Sequence, residues 1–446
     1  MTLSVLPTTH GRARTIGPLA DDMSRGATYG FDMTSNTQSH TLSVRRVAHG
    51  AAIAAAAGLL LTATACSSDG GAATPITSGA PTSTAPPATS APPSSTVPPI
   101  TAPSTTEETG EDRTALLSGI LDSHHSAGEF VGARIAFLDR EGTVTEVTAG
   151  TTTIEPTSGP VDPDVAWNIG SVTKTFVAVV VLQLADEGRL DLDAGIDGFF
   201  PDLPGADRIT PRQLLQHTSG LGEYRDQPAV LTDAHRKWTP SELIAVAEAA
   251  GRVGEPGGPH HYSNTNYIVL GEIVQQVTGN SWGDEIRTRI VEPLGMTNTS
   301  PLGDDLPIGY QFIDGSFVDT TSNMDPSTGG AAGALQSTGH DLLLFAKALA
   351  HGTLLSTESQ AAMQAFVPGD DYSEFGIIHG YGLGLEQYAN EVITVDGHMG
   401  TGEAQSAFVG YDIEHDTAVA VMTNTAIAGP QALMAVETLI AVNEAG

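Results

Sequence analysis

The chain of 446 residues is long enough for one large domain or two modest ones, and its apolar fraction suits a folded protein. A net charge of −33, with no block of Lys and Arg, excludes a surface that tracks a nucleic-acid backbone. The acidic residues are dispersed, which reads as solubility, and the single cysteine excludes an internal disulfide framework.

Residues 1–32 carry no periodic pattern and form an extension ahead of a first functional segment, with Met33 as the expected start. That segment is SVRRVAHGAAIAAAAGLLLTATAC, ending at Cys66. Arg45 and Arg46 form a charged region, the apolar run to Leu61 is too short to span a bilayer, and Ala63, Thr64 and Ala65 are small. Residues 1–65 are therefore read as an export signal. The run resembles a bacterial lipoprotein signal, which implies lipidation of Cys66 and a membrane-anchored protein facing the cell wall; Ala63 stands where a larger aliphatic residue is usual. The alternative is ordinary cleavage nearby, with Cys66 free and the protein secreted. Residues 66–110 are Ser, Thr, Pro, Ala and Gly with almost nothing to bury, a tether of roughly 3 Å per residue in its proline-rich parts, on the order of 100 Å in all.

A folded domain is expected over 111–446. It opens on a helix-like DRTALLSGILDSHH and the strand-like GARIAFLDR and TVTEVTAG. Helical segments fill the middle. Strands return as YGLGLEQY, EVITVDG, QSAFVGYD and TAVAVMTN before a last helix from Pro430 to Asn443. Strands at both ends predict an α+β fold: one antiparallel sheet built from the N- and C-terminal strands, flanked by helices, with a helical insertion.

The chemistry centres on NIGSVTKTFVAVVVLQLADEG, residues 168–188. From Val177 to Leu184 the run is apolar all round, which predicts a buried helix, where a lysine needs partners. The chain has three lysines, and Lys174 is three residues beyond Ser171, on one helix face and within reach of its hydroxyl. Further on, PHHYSNTNYIVLGEIVQQVTG carries Tyr262 and Asn264 at the start of another buried helix, and VDGHMGTG places His398 and Gly400 at a strand end.

These stretches resemble, in order, the Ser-x-x-Lys, Tyr-x-Asn and Lys- or His-x-Gly motifs of the serine β-lactamase and penicillin-binding family. NIGSVTKTF, LADEGRLDLDAGI, ITPRQLLQHTSGL, PLGMTNT, AGALQSTGHDLLLFAKAL and YGLGL resemble most the branch of class C β-lactamases and actinomycete D-alanyl-D-alanine carboxypeptidases, from about Leu116 onward. The resemblance implies that Ser171 is a nucleophile forming an acyl-enzyme, with Lys174 and Tyr262 as paired bases that depress each other's pKa. Asn264 would hold Lys174 and a substrate amide, His398 would occupy the place of the third-motif lysine, and the backbone N–H groups of Ser171 and Thr401 would form the oxyanion hole. No cofactor or metal is implied; the partner is a small-molecule or peptide substrate of the cell envelope.

Two residues depart from the family pattern. Met399 replaces the hydroxyl residue of the third motif, and Glu386 follows YGLGL where carboxypeptidases have an arginine that grips the substrate carboxylate. Both are expected to line the substrate site, where Glu386 would repel a carboxylate and favour neutral or basic esters, amides or D-amino-acid amides. Two alternatives remain open: a true D,D-carboxypeptidase or β-lactamase with another carboxylate contact, and a non-catalytic binding protein with this fold. His217 beside Ser219 reads as a structural turn, and the pairs His124–His125 and His260–His261 as surface or cleft-rim residues, not metal ligands.

Overall fold

The segments GARIAFL and TAVAVMT carry small or apolar residues at nearly every position, the pattern of strands covered on both faces. The computed structural model describes residues 107–370, 372, 377–427 and 429–445. It builds an eight-stranded antiparallel sheet from β1 (Gly132–Leu138), β2 (Val144–Gly150), β3 (Val367–Pro368), β4 (Ile378–Tyr381), β5 (Glu386–Ala389), β6 (Thr394–Thr401), β7 (Ser406–Asp412) and β8 (Thr417–Thr423). The strand order is β2-β1-β8-β7-β6-β5-β4-β3, so the two ends of the chain meet at β1 and β8, with Ile135 opposite Val421. This is the α+β arrangement expected from the sequence.

Alternation sorts the strand residues between two cores. Ile135, Phe137, Val419 and Val421 pack with α1 (Glu107–Ser126) and the last helix (Pro430–Ala445). Ala136, Leu138, Ala420 and Met422 face the helical insertion between β2 and β3. There, α2 (Thr173–Asp186) lies against the sheet and is buried on every side, as its unbroken apolar run requires. Two further helices pack beside it, α3 (Asn264–Thr278) and α4 (Gly339–Ala350), with Phe345 of α4 stacked on Phe176 of α2 at 3.8 Å between ring centroids.

Two details differ from the sequence expectation. The helix α1 opens at Glu107, ahead of residue 111, since no proline after Pro103 prevents it. The stretch YGLGLEQY is not one strand: β4 ends at Tyr381, Gly382 N–H donates to Leu385 O at 2.8 Å, Gly384 takes φ +74°, and β5 begins at Glu386. A left-handed glycine ends a strand that its flanking residues would otherwise extend. The signal, Cys66 and the tether up to residue 106 lie outside the described residues, and the tether's last four residues belong to α1.

Candidate active site

Ser171 sits in a 3-10 turn, Gly170–Val172, that leads directly into α2. Gly170 has φ +50°, and a Cβ there would fall 2.7 Å from the backbone N of Thr401. A Cβ on Gly400 would fall 2.8 Å from the backbone N of Ser171. The turn and the end of β6 therefore touch through their glycines, and the amides of Ser171 and Thr401 share one small region. Two neighbouring backbone amides are the first requirement of an oxyanion hole.

Lys174, the second residue of α2 and three residues beyond Ser171, is 0% exposed. Its Nζ donates to Asn264 Oδ1 at 2.9 Å, to Ala332 O at 2.7 Å and to Ser171 Oγ at 2.8 Å. Desolvation brings its pKa down to about 7, although the charges of Glu223 and Glu386 oppose the shift. Asn264 Oδ1 and Ala332 O only accept hydrogen bonds, so they engage two Nζ hydrogens in either protonation state. When the ammonium loses its third proton, the lone pair is left facing Ser171 Oγ.

The orientation of Asn264 is set by Glu223, which sequence reasoning did not single out. Glu223 Oε2 accepts from Asn264 N at 2.7 Å and from its Nδ2 at 3.0 Å, so the carboxylate both caps α3 and turns Oδ1 toward Lys174. Tyr262, half-buried, lays its ring 5.0 Å from Lys174 Nζ, measured to the centroid. The mutual pKa depression expected for Lys174 and Tyr262 does not occur. Burial and the charge of Glu386 push the phenol well above its usual value, against the opposing influence of the Ser171 hydroxyl, so Tyr262 stays neutral. The low pKa of Lys174 comes from desolvation, not from a shared proton.

His398 is buried behind this group. Its Nε2 lies 3.1 Å from Tyr381 Oη and its Nδ1 lies 2.6 Å from Met399 O, and burial, with the charge of Lys174, holds its pKa down to about 3. A neutral ring with Nδ1–H donating to the carbonyl and Nε2 accepting from Tyr381 satisfies both contacts. Tyr381 in turn meets His217 Nε2 at 3.2 Å, and His217 Nδ1 accepts from Asn266 Nδ2 at 2.8 Å and Ser263 N at 3.2 Å. The ring of His217, at φ +57°, lies 4.2 Å from that of Tyr262. Ser219 bonds Asn266, not a histidine, at 2.5 Å. His260 packs against Tyr381, and His124 is buried between two carboxylates rather than lying at the surface. Among the described residues no group of His, Cys, Asp and Glu could hold a metal ion.

Glu386 and Met399 do not line the cavity beside Ser171, which corrects the expectation of an acidic wall there. The strand break at Gly382–Leu385 starts β5 at Glu386, on the same face as Tyr388, and Met399 packs with that core. Glu386 is 5% exposed; its Oε2 accepts from Tyr388 Oη at 2.5 Å and from Met399 N at 2.8 Å, and burial raises its pKa. The cavity, of about 70 Å³, is instead lined by Ser171, Asn264 and Thr401 with Arg225, Asp325 and Glu403. Leu302, Leu306 and Met324 supply apolar surface. Arg225 Nη2 pairs with Glu403 Oε1.

The Beta-lactamase family is matched over residues 117–442. Penicillin-binding protein 4 of Amycolatopsis lactamdurans is 28% identical over 68% of this chain and 82% of its own length. The protein PbpX of Bacillus subtilis is 28% identical over 50% of this chain, and the match spans only 59% of that protein. Among solved structures, a D-stereospecific amidohydrolase from Streptomyces sp. superposes with a TM-score of 0.63 at 30% identity, covering 73% of this chain and 97% of that one. The D-amino acid amidase of Ochrobactrum anthropi SV3, complexed with L-phenylalanine amide, gives 0.68 at 26% identity over 75% and 99%. With its sheet, its Ser171–Lys174 turn and a match that runs nearly the length of the folded domain, this chain belongs to the β-lactamase family of serine hydrolases and penicillin-binding proteins.

Proposed function

We propose that this protein is an exported serine hydrolase that cleaves amide or ester bonds through an acyl-enzyme on Ser171. The observation that carries the reading is Lys174 Nζ, held by two acceptors and directed at Ser171 Oγ at 2.8 Å with its pKa brought to about 7. Neutral Lys174 takes the hydroxyl proton as Oγ bonds to the substrate carbonyl carbon. The carbonyl oxygen, now anionic, is received by the N–H groups of Ser171 and Thr401. Collapse of the tetrahedral intermediate breaks the bond to the amine or alcohol, which leaves with a proton passed from Lys174 through Tyr262. Water then repeats the sequence on the acyl-enzyme.

The favoured substrates are amides of D-amino acids, short D-peptides capped as amides, and esters. Support comes from the two solved relatives, an amidohydrolase and an amidase in complex with an amino-acid amide, and from the ion-paired state of the cleft arginine. The match to Penicillin-binding protein 4 favours a second reading, penicillin recognition by the same serine. The signal-like run ending at Cys66 supports attachment to the envelope by a lipid on that cysteine; a mature form that begins elsewhere and incorporates no labelled fatty acid would remove this part.

Intact-mass measurement after exposure to a p-nitrophenyl ester, D-phenylalanine amide and a penicillin tests the function. Wild type should gain the acyl mass on the peptide holding Ser171, and Ser171→Ala should gain none. Failure of all three reagents to acylate or turn over would leave the fold as a binding scaffold. An adduct with penicillin alone would favour the second reading.

A further inference from the structure

Arg225 is the one cation among the described residues that line the Ser171 cavity. It would be the natural grip for a substrate carboxylate, yet its guanidinium is already paired with Glu403 across the rim. Both partners are about 30% exposed, 30% for Arg225 and 28% for Glu403, so neither charge is fully solvated. Neither is loosely held. The backbone N–H of Arg225 donates to Glu223 Oε1 at 2.8 Å, the carboxylate that also fixes Asn264. On the other side, the carbonyl of Glu403 accepts from Gln311 Nε2 and Thr320 Oγ1, each at 2.8 Å, and Gly402 N–H closes the turn onto Gln405 O at 2.8 Å.

We propose that the Arg225–Glu403 pair is a charge latch that sets substrate choice: Glu403 occupies the arginine that would otherwise bind a substrate carboxylate, and so confines the site to substrates that are neutral or cationic at that end. The inference rests on Ser171 being the acylated residue. A carboxylate that reaches for Arg225 must displace Glu403 or share the guanidinium with it, and in either case lies beside it, with Asp325 on the same cavity wall. Two like charges meet it where one opposite charge is offered. An amide or alcohol in the same place leaves the pair intact, and an ammonium gains from Glu403. Selectivity against carboxylates thus comes from the rim of the cleft, in place of the Glu386 wall that the sequence suggested.

Matched esters of N-acetyl-D-phenylalanine with D-lactate, D-lactamide and ethanolamine present a carboxylate, a neutral amide and an ammonium at the leaving group. Ratios of kcat/KM within one variant cancel general effects on activity. In Glu403→Gln the lactate-to-lactamide ratio should rise about tenfold or more, the size of a charge-assisted hydrogen bond gained, mostly through a lower KM for the lactate ester. In Arg225→Gln/Glu403→Gln that gain should vanish. In Arg225→Gln alone the ethanolamine-to-lactamide ratio should rise, because Glu403 is bared. An unchanged lactate ratio in Glu403→Gln, or a gain that persists in the double variant, overturns the latch while esterase activity stands. If Glu403→Gln does not fold, an unchanged ethanolamine ratio in Arg225→Gln overturns it equally. Cleavage of none of the three esters by wild type, with no adduct on Ser171, removes the acylation reading and the latch with it.

Discussion

Two buried proton-binding groups of this protein are held by opposite means. Lys174 in the active-site cleft has only uncharged acceptors around Nζ: an amide oxygen, a backbone carbonyl and a hydroxyl. His124, where α1 meets the last helix, has a carboxylate on each ring nitrogen, Glu129 Oε2 at 2.6 Å and Glu437 Oε2 at 3.0 Å. Both lose water, and desolvation pulls both pKa values down. At His124 the two carboxylates outweigh that loss and the pKa ends above its ordinary value; at Lys174 nothing close enough does, and it ends at about 7. Hydrogen bonds to neutral groups fix where a charge sits without restoring what burial removes. A lysine meant to accept a proton needs the first environment, and a histidine that ties two helices together needs the second.

The largest test of this contrast removes the cation from the cleft. Lys174→Met should lower the rate of Ser171 acylation by roughly 10²- to 10⁴-fold, the usual worth of a positioned base. A cooperative thermal transition should remain, since relief of the buried charge offsets two acceptors left without their donor. In wild type, kcat/KM should climb as pH rises and level off above about 7, because Lys174 is protonated and cannot take the serine proton below that pH. Stopped-flow acylation across pH 5–9 would show it; a flat profile would remove Lys174 as the base.

Asn264→Asp, combined with Glu223→Gln so that two carboxylates do not meet where Asn264 Nδ2 now donates to Glu223 Oε2, converts the first environment into the second by putting a carboxylate where Lys174 now meets an amide oxygen. An opposite charge at hydrogen-bond distance raises the lysine pKa by about one unit or more. The acid limb of the profile should move upward by that amount, and activity at pH 7 should fall roughly tenfold or more while the plateau at high pH is partly kept. Loss of activity equal at every pH would instead show that Asn264 acts on the substrate and not on the proton affinity of Lys174.

The contrast also marks how far the sequence could be read. Ser171 and Lys174 were legible because a helix turns three residues into neighbours, and the buried run beyond them announced that the lysine would be dry. The sheet was legible in outline from its apolar strands. Glu223 was not, since its purpose appears only when the chain brings it to Asn264, 41 residues on. The Arg225–Glu403 pair, 178 residues apart, leaves no periodic trace at all. Glu386 shows a third kind of limit. Its charge could be read, but its direction depended on where a strand began, and Gly384 moved that point, turning the carboxylate onto Met399 N–H and away from the cleft.

The smallest expected effect lies at His124. Because its folded pKa is raised, its contribution is complete below the unfolded value of 6.5 and fades as pH climbs through the higher folded value. Glu437→Gln removes one of the two carboxylates and leaves a hydrogen-bonding oxygen in place. The variant should melt on the order of 2 °C below wild type at pH 6 and converge with it at pH 9, while kcat/KM on any cleaved ester stays the same at both. A gap that persists at pH 9 would mean that Glu437 works through packing, and that the ionic half of the contrast with Lys174 had been assigned to the wrong force. Convergence would show that one fold raises a cation's proton affinity where it joins helices and lowers it where it does chemistry, by choosing only the charge of the acceptors.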